Sequence, residues 1–141
     1  MIKYKKRDIF KGNEDVIIHG CNCFHTMEAG IAAAIKEKYP GAYLADCESI
    51  KGANKLGFYT SYYHKKDDIT IVNAYTQYYP GANFQLSAFE TVMKRIKTNF
   101  YYRYTLSMPK IGAGIGGGNW DQIEQVLINI FTDKDISIYV L

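Results

Sequence analysis

Two loops of this sequence carry residues that could bind an anion through the backbone. The richer one, Ile111–Asn119, reads IGAGIGGGN and places five glycines among residues 112–118. Glycine loses more backbone entropy on folding than any other residue, so a run this dense needs a reason. Close approach of backbone N–H groups to phosphate oxygens is one reason, and a flexible turn is the plain alternative. The run fits neither GxGxxG in its usual context nor GxxxxGK[ST], which argues against a Rossmann dinucleotide site and an ATPase P-loop.

Histidines in or near the other loop, Cys21–Gly30, are candidates for acid–base chemistry. His19 ends an apolar strand, and we expect its imidazole to point into the loop region, where it could orient a water molecule or protonate a departing oxygen. A core histidine that bonds a backbone carbonyl is the alternative. His25 is a second candidate, and His64 falls at the end of a polar strand.

The sequence allows more than one role for Asp8 and for the cysteines. Asp8 follows the first predicted strand, where it could accept a hydrogen bond from a ligand, cap a helix or be a surface charge. The three cysteines, Cys21, Cys23 and Cys47, are an odd set, and Cys21-Asn22-Cys23 has no second pair to make a zinc site. We therefore predict free cysteines that pack as small apolar residues.

These groups must be positioned by short apolar strands that alternate with helical segments, a pattern typical of an α/β layer architecture. The predicted strands are Ile2–Tyr4, Val16–Gly20, Gly57–His64, Ile69–Tyr75, Thr105–Met108 and Ile136–Leu141. Apolar residues at helical spacing predict one helix from Leu86 to Phe100 and another that follows Asn119 and covers Ile123–Phe131. A third helix is predicted from Glu28 or Ala29 to Tyr39, where Pro40-Gly41 stops it, and a short fourth over Ala42–Ser49.

Both candidate loops connect a predicted strand to a predicted helix. In an open α/β sheet, ligands bind at the carboxyl ends of the strands, where helix N-termini present free N–H groups. We therefore expect an anionic ligand to lie between the two loops.

The composition bounds the class of protein. The chain has 141 residues, 48% hydrophobic and 22% charged, which predicts one globular domain over residues 1–141 that needs no disulfide or metal to fold. Its net charge is +3, and the basic stretches KYKKR and KRIK lie far apart. A nucleic-acid binder would normally concentrate positive charge on one face, whereas a modest positive field favours a small anion. No apolar run could span a membrane and the start, MIKYKKRDIF, lacks a signal-peptide core, so we expect a cytoplasmic protein without membrane partners.

The sequence resembles the macrodomain family, in particular the branch of small ADP-ribose 1''-phosphate phosphatases and the terminal ADP-ribose protein glycohydrolase. The matching residues run in order along almost the whole chain: Arg7-Asp8-Ile9-Phe10, Ile18-His19-Gly20-Cys21-Asn22-Cys23, Ala29-Gly30-Ile31-Ala32, Met108-Pro109-Lys110-Ile111-Gly112-Ala113-Gly114, Trp120 and Ile138-Tyr139-Val140-Leu141. The resemblance implies an α/β fold of three layers, α/β/α, around a mixed central sheet.

The resemblance also implies roles for individual residues. Asp8 would accept a hydrogen bond from the adenine amino group, with the Ile9 backbone beside it, and Asn22 would hold the distal ribose hydroxyls. The residues of the first phosphate-side loop would be Gly30, Ile31 and Ala32. Those of the second would be Gly112, Ala113, Gly114, Ile115 and Gly116. The C-terminal segment, with Tyr139 and Leu141, would lie near the adenine, and His19 would be the catalytic residue.

Two departures from the family bear on the reaction. The glycohydrolase branch uses a lysine at the end of the fourth strand and an aspartate in the second glycine loop, where this sequence has Tyr75 and Gly116. Tyrosine cannot form the covalent adduct of that lysine, so the resemblance favours a phosphatase that hydrolyses ADP-ribose 1''-phosphate without a metal or cofactor. Removal of ADP-ribose from protein or nucleic acid by another mechanism, and non-catalytic reading of ADP-ribose, are the alternatives. Relatives carry glycine where this chain has Glu28, whose carboxylate could compete with a phosphate if it points inward.

Overall fold

The computed structural model describes the whole chain, Met1–Leu141, and contains six strands and four α-helices. The strands are β1 (Ile2–Lys6), β2 (Val16–Cys21), β3 (Tyr59–His64), β4 (Ile69–Tyr75), β5 (Leu106–Met108) and β6 (Ile136–Val140). The helices are α1 (Gly30–Lys38), α2 (Pro40–Cys47), α3 (Leu86–Ile96) and α4 (Trp120–Ile130). A 3₁₀ turn covers Ile9–Lys11, and a π-helical turn, Lys97–Tyr101, extends α3.

The strands form one mixed sheet in the order β1-β6-β5-β2-β4-β3. Every neighbouring pair is parallel except β3 with β4, which is antiparallel. Helices cover both faces of this sheet, and the predicted α/β/α layers around a mixed sheet are confirmed.

The central strand β2 shows why two helical layers are needed. Successive side chains of a strand point to opposite faces, so a strand that is apolar at every position must be covered on both sides. Val16 and Ile18 pack into the larger core with residues of α3 and α4, whereas Ile17 packs with Ile35 of α1 on the other face.

The second helix begins earlier than predicted. Pro40 was expected to stop the preceding helix, but it is also the first residue of α2, because its missing N–H and fixed φ suit a helix start. Tyr39, with a φ of −129°, separates the two helices. Gly41 lets α2 lie close to β3, since a Cβ at this position would come within 2.1 Å of the Tyr62 ring.

Five of the six strands run parallel, and therefore their carboxyl ends meet at one edge of the sheet. The segments that follow β1, β2, β4, β5 and β6 all leave from this edge, where ligands bind in open α/β sheets. None of the helices is both long and apolar enough to cross a bilayer.

Candidate ligand-binding groove

Two adjoining cavities form a groove along the carboxyl edge of the sheet. The glycine cavity, of about 390 Å³, is lined by the segments after β2, β4 and β5. The apolar cavity, of about 530 Å³, is lined by the segments after β1 and β6 and by α1. They share Gly30, Ile31 and Pro109, so one elongated ligand can occupy both. Each volume falls in the range of small-molecule sites.

The N-terminus of α1 presents unpaired N–H groups to the glycine cavity. Ala29 precedes the helix without a side-chain cap, and the first turn holds no acidic residue. The first backbone hydrogen bond of the helix is donated by Ala33, which leaves the N–H groups of Gly30, Ile31 and Ala32 free. A helix N-terminus of this kind favours an anion through its free donors and its dipole.

Some backbone N–H groups of the second glycine loop are hydrogen-bonded within the protein, and others have no protein acceptor. Ala113 donates its N–H group to the carbonyl of Lys110, just before the loop, and the N–H groups of Gly117 and Gly118 donate to carbonyl oxygens within the loop. Among residues 112–118, the N–H groups without a protein acceptor belong to Gly112, Gly114, Ile115 and Gly116, and these four residues line the glycine cavity. Ala113 lines neither cavity, so its predicted ligand contact is not supported.

The two ends of the loop are fixed by packing. Gly112 has a φ of +79°, and a Cβ there would come within 2.4 Å of the Phe84 ring. Gly118 lies against the same ring, and its N–H donates to the Gly112 carbonyl at 2.6 Å. The loop is therefore an ordered turn, and the residues 112, 114, 115 and 116, whose N–H groups have no protein acceptor, all line one cavity.

The apolar cavity has the chemistry to hold a flat heterocycle with an amino group. Its walls include Ile9, Phe10, Ile31, Tyr139 and Leu141. Beside them, Asp8 caps the 3₁₀ turn through Oδ1, which accepts the Phe10 N–H at 3.0 Å. Oδ2 remains for a ligand, so the capping and ligand interpretations of Asp8 are compatible.

A buried carboxylate fixes the wall residue Tyr139. The Tyr139 hydroxyl donates to Glu14 Oε1 at 2.6 Å, and Lys5 Nζ lies 2.7 Å from Glu14 Oε2. Burial alone would raise the pKa of Glu14, but hydrogen bonds from Lys5, Tyr139 and Ser137 outweigh it and lower that pKa. Glu14 therefore stays charged and holds the tyrosine ring in the cavity wall.

Asn22 lines the glycine cavity, as a ligand residue should, but its side chain already has partners. Its Oδ1 accepts the Phe24 N–H at 2.8 Å, and its Nδ2 donates to the Thr26 carbonyl at 3.4 Å. One Nδ2 hydrogen is left for a ribose hydroxyl. The main role of Asn22 in this structure is to shape the loop.

The structure corrects the expectation that His19 points into the loop region. His19 is completely buried and lines neither cavity. Asn73 donates its Nδ2 hydrogens to Ala42 O and Thr60 Oγ1, so its Oδ1 must accept from His19 Nε2, at 2.6 Å. Burial lowers the pKa of His19 to about 4, against the opposing effects of Asn73 and Asp46. A neutral histidine locked beneath α2 is a core residue and does not reach a ligand.

The second candidate, His25, and the polar side chains of Tyr75 and His64 also make contacts within the protein. His25 has a left-handed φ of 58°, contacts Ser49 Oγ at 3.4 Å and lines neither cavity. Tyr75 is buried and donates to Asp46 Oδ1 at 2.6 Å; burial, more than this hydrogen bond, raises its pKa. His64 accepts or donates a 2.8 Å hydrogen bond with Tyr62 at the end of β3, the strand end expected for it.

All three cysteines are free. Cys21 and Cys23 are buried as expected, but Cys47 is exposed at the end of α2. Burial raises the pKa of Cys21, so this cavity-lining thiol stays protonated at neutral pH. No three His, Cys, Asp or Glu side chains are grouped to hold a metal ion.

Sequence reasoning missed the segment after β4. Gln77, Pro80 and Gly81 line the glycine cavity, yet no motif marks them. The signal available was topological, because β4 is a buried parallel strand whose carboxyl end had to reach the same edge as β2. Lys110, which also lines this cavity, adds a positive charge.

Glu28 lines the glycine cavity, and its side chain is exposed and forms no ion pair. Exposed charges interact by less than about 1 kcal/mol, so we expect Glu28→Gly to strengthen binding of ADP-ribose only slightly, with a gain that shrinks as salt is added. Calorimetric titration at low and high salt measures it, with Glu48→Gly, another exposed carboxylate, as the control. A large salt-sensitive gain would instead mean that Glu28 turns into the cavity.

Asp8→Ala is expected to weaken ADP-ribose binding by about 1–3 kcal/mol, because a charged hydrogen-bond acceptor is lost. Asp8→Asn keeps an oxygen that can cap the 3₁₀ turn but places a donor where Oδ2 stood, so it should lose affinity without losing stability. Calorimetry and thermal unfolding of both variants measure the two effects. Unchanged affinity in folded Asp8→Asn would remove Asp8 from the site.

The chain is similar to proteins of one known family. The Macro domain family model matches residues 18–127 of the chain. The chain is 40% identical over 148 residues to the "Uncharacterized 17.5 kDa protein in tk-vs intergenic region" of Enterobacteria phage T4, covering 98% of this chain and 95% of that protein. It is 29% identical over 162 residues to the ADP-ribose 1''-phosphate phosphatase of Lodderomyces elongisporus, covering 99% and 98%.

A more distant relative is named a DNA ADP-ribosyl glycohydrolase. The chain is 25% identical over 152 residues to the DNA ADP-ribosyl glycohydrolase of Mycobacterium tuberculosis, covering 99% of this chain but 42% of that protein. The solved macrodomain of Mycobacterium tuberculosis DarG superposes with a TM-score of 0.85 at 25% identity, covering 100% of this chain and 98% of that one.

Proposed function

The chain belongs to the Macro domain family, and on that premise we propose that the groove binds ADP-ribose and that the protein hydrolyses ADP-ribose 1''-phosphate. The observation that carries the proposal is the pairing of two free-amide sets in the glycine cavity with an adjoining apolar cavity edged by Asp8. Adenine would occupy the apolar cavity, with its amino group donating to Asp8. The diphosphate would accept from the N–H groups of α1 and of the second glycine loop.

The strand pairing supports the proposed position of the adenine. β1 and β6 pair in parallel, with Lys6 opposite Val140, so Asp8 and Leu141 emerge side by side. An apolar, partly aromatic wall with one fixed acceptor suits a purine with an exocyclic amine better than a sugar or a peptide.

The reaction is a transfer of the terminal phosphoryl group to water. The water oxygen forms a bond to phosphorus, the bond between phosphorus and the ribose 1''-oxygen breaks, and that oxygen takes up a proton. The free amides of the second glycine loop would stabilise the negative charge on the phosphoryl oxygens. His19 takes no part, because its side chain does not reach the groove.

Two alternatives keep the same bound ligand. In the first, the protein removes ADP-ribose from a macromolecule, the reaction that the mycobacterial relative is named for. In the second, the protein binds ADP-ribose without catalysis. Tyr75 and Gly116 stand where the glycohydrolase branch would need its lysine and aspartate, which favours the phosphatase.

Product analysis separates these functions. Purified protein is incubated with ADP-ribose 1''-phosphate, with ADP-ribosylated protein and with ADP-ribosylated DNA. The proposal expects ADP-ribose and inorganic phosphate from the first substrate. Release of ADP-ribose only from a macromolecule would show that the protein is an ADP-ribosyl hydrolase and not a phosphatase. If none of the three substrates gives a product, the protein binds ADP-ribose without catalysis.

A further inference from the structure

One amide side chain lines the glycine cavity with an oxygen that the protein does not use. Gln77 follows the end of β4 by two residues, and it donates its Nε2 hydrogens to Tyr79 O and Gly81 O, both at 2.8 Å. Both partners are carbonyl oxygens, which only accept, so the amide nitrogen must face them and the orientation of the amide is fixed. Oε1 receives no donor from the protein and is left for a molecule in the cavity.

This oxygen lies next to the second glycine loop. It is 3.2 Å from the position that a Cβ on Gly116 would occupy, so a side chain at residue 116 would crowd it. Gly116 also lines the cavity and carries one of the free N–H groups. An acceptor and a free donor are therefore close together on the cavity wall.

Backbone hydrogen bonds keep Gln77 and Gly116 in this arrangement. Phe84 pairs with Gln77 in an isolated antiparallel bridge, and its N–H donates to the Gly116 carbonyl at 3.1 Å. Gln85 N–H donates to Thr76 O at 2.8 Å. The segment after β4 and the second glycine loop are thereby joined through Phe84, and the oxygen of Gln77 is in place before a ligand arrives.

Two other acceptors of the cavity are less suited to hold a water molecule beside a phosphate. Asn22, the second amide, has its Oδ1 occupied by the Phe24 N–H. Glu28 stands two residues before α1, and its negative charge repels that of a phosphoryl group. A neutral amide oxygen accepts a hydrogen from water without repelling the anion that the water must attack.

We propose that Gln77 positions the water molecule that attacks the terminal phosphoryl group. The inference rests on the proposed hydrolysis of ADP-ribose 1''-phosphate and adds a residue to its mechanism. The water donates one hydrogen to Gln77 Oε1, which directs a lone pair of the water oxygen to the phosphorus held by the loop amides. Glutamine side chains orient the attacking water in the same way in other phosphoryl-transfer enzymes.

The amide of Gln77 takes no proton in this step. The water oxygen forms a bond to phosphorus while the bond from phosphorus to the ribose 1''-oxygen breaks, and the electron pair of the broken bond stays on the 1''-oxygen. One hydrogen of the water remains on the phosphate product. The other is released to solvent, from which the 1''-oxygen takes up a proton. Gln77 therefore acts by placement alone, because it holds the water in line with the bond that breaks.

Turnover and affinity together separate this role from support of the loop. Phosphate release from saturating ADP-ribose 1''-phosphate gives kcat, and calorimetry gives the affinity for ADP-ribose. Gln77→Leu removes both ends of the amide, whereas Gln77→Lys keeps donors for Tyr79 O and Gly81 O and removes only the acceptor. Asn83→Ala is the control, because Asn83 Oδ1 accepts the Tyr79 N–H at 3.0 Å and supports the same turn without lining either cavity.

We expect kcat to fall by a factor of about 100 in both Gln77 variants, because a misplaced nucleophile costs about this much in rate. The affinity of Gln77→Lys for ADP-ribose should stay at the wild-type level or rise slightly, since the added positive charge attracts a phosphate. Asn83→Ala should keep its turnover.

Other results overturn the inference. Unchanged kcat in folded Gln77→Lys would show that the amide oxygen positions no water. A loss of ADP-ribose affinity as large as the loss of kcat would make Gln77 a binding residue or a support of the loop, and so would an equal loss of kcat in Asn83→Ala. Failure of the wild-type protein to release phosphate from ADP-ribose 1''-phosphate would overturn the proposed phosphatase and this inference together.

Discussion

Gly114→Val is expected to reduce ADP-ribose binding by a factor of about 100 or more and to leave the fold intact. Gly114 lines the glycine cavity, and a Cβ built on it meets no other atom within 4 Å. There is therefore open space for the Cβ of the new side chain, and the branched side chain is expected to occupy the space in which the proposed phosphate would lie. Calorimetry with ADP-ribose measures the loss, and circular dichroism and thermal unfolding check the fold.

Gly112→Val is the matched control at the start of the same loop. Gly112, unlike Gly114, has a positive φ, and its Cβ would meet the Phe84 ring at 2.4 Å. We expect this variant to be destabilised by strain and overpacking, each of which typically amounts to about 1–3 kcal/mol. Normal ADP-ribose affinity in folded Gly114→Val would show that the loop is a connector and contradict the account of the anion site.

The protein is expected to lose about 3 kcal/mol of stability between pH 6.5 and pH 4 through His19 alone. Burial lowers the pKa of His19 to about 4 in the folded chain, whereas an unfolded histidine titrates near 6.5. Between these values the unfolded state binds more protons than the folded state, so the free energy of unfolding falls as the pH falls. Urea denaturation across this range measures the slope.

His19→Gln removes the titrating group and should flatten that slope. His19→Ala at neutral pH is expected to destabilise the fold by about 2–4 kcal/mol, because it opens a cavity and leaves Asn73 Oδ1 without its donor. Turnover per folded molecule should change little in both His19 variants. A 100-fold loss of turnover in folded, fully stable His19→Ala would restore the histidine to catalysis.

The fold could be predicted from local patterns because they agree with one another. β-branched runs predicted β2 and β4, and helical spacing of apolar residues predicted α3 and α4. The start of α2 could not be separated from the end of α1, because Pro40 is a stop for one helix and a start for the next. Such double roles depend on the φ of Tyr39, which no sequence pattern specifies.

The site was predicted unevenly for physical reasons. A glycine run predicts close backbone approach, but it does not say which N–H groups are used inside the loop and which remain free. The burial of His19 follows from the alternation of side chains along a strand, since Ile17 and His19 point to the face of the sheet that α1 and α2 cover. Because His19 stands at the end of an apolar strand, the sequence instead suggested that it points into the loop. The position of Asp8 beside Tyr139 depends on the parallel pairing of β1 with β6, which joins opposite ends of the chain.

The proposal that two sets of free backbone amides bind ADP-ribose is tested most directly by nuclear magnetic resonance. Nitrogen-15-labelled protein is titrated with ADP-ribose while the backbone amide signals are recorded. We predict saturable shifts at Gly30, Ile31 and Ala32 of α1 and at the free amides of the second glycine loop. Smaller changes are expected at Ala113, Gly117 and Gly118, whose amides are already hydrogen-bonded. Shifts that never appear, or that appear only outside the groove, would contradict it.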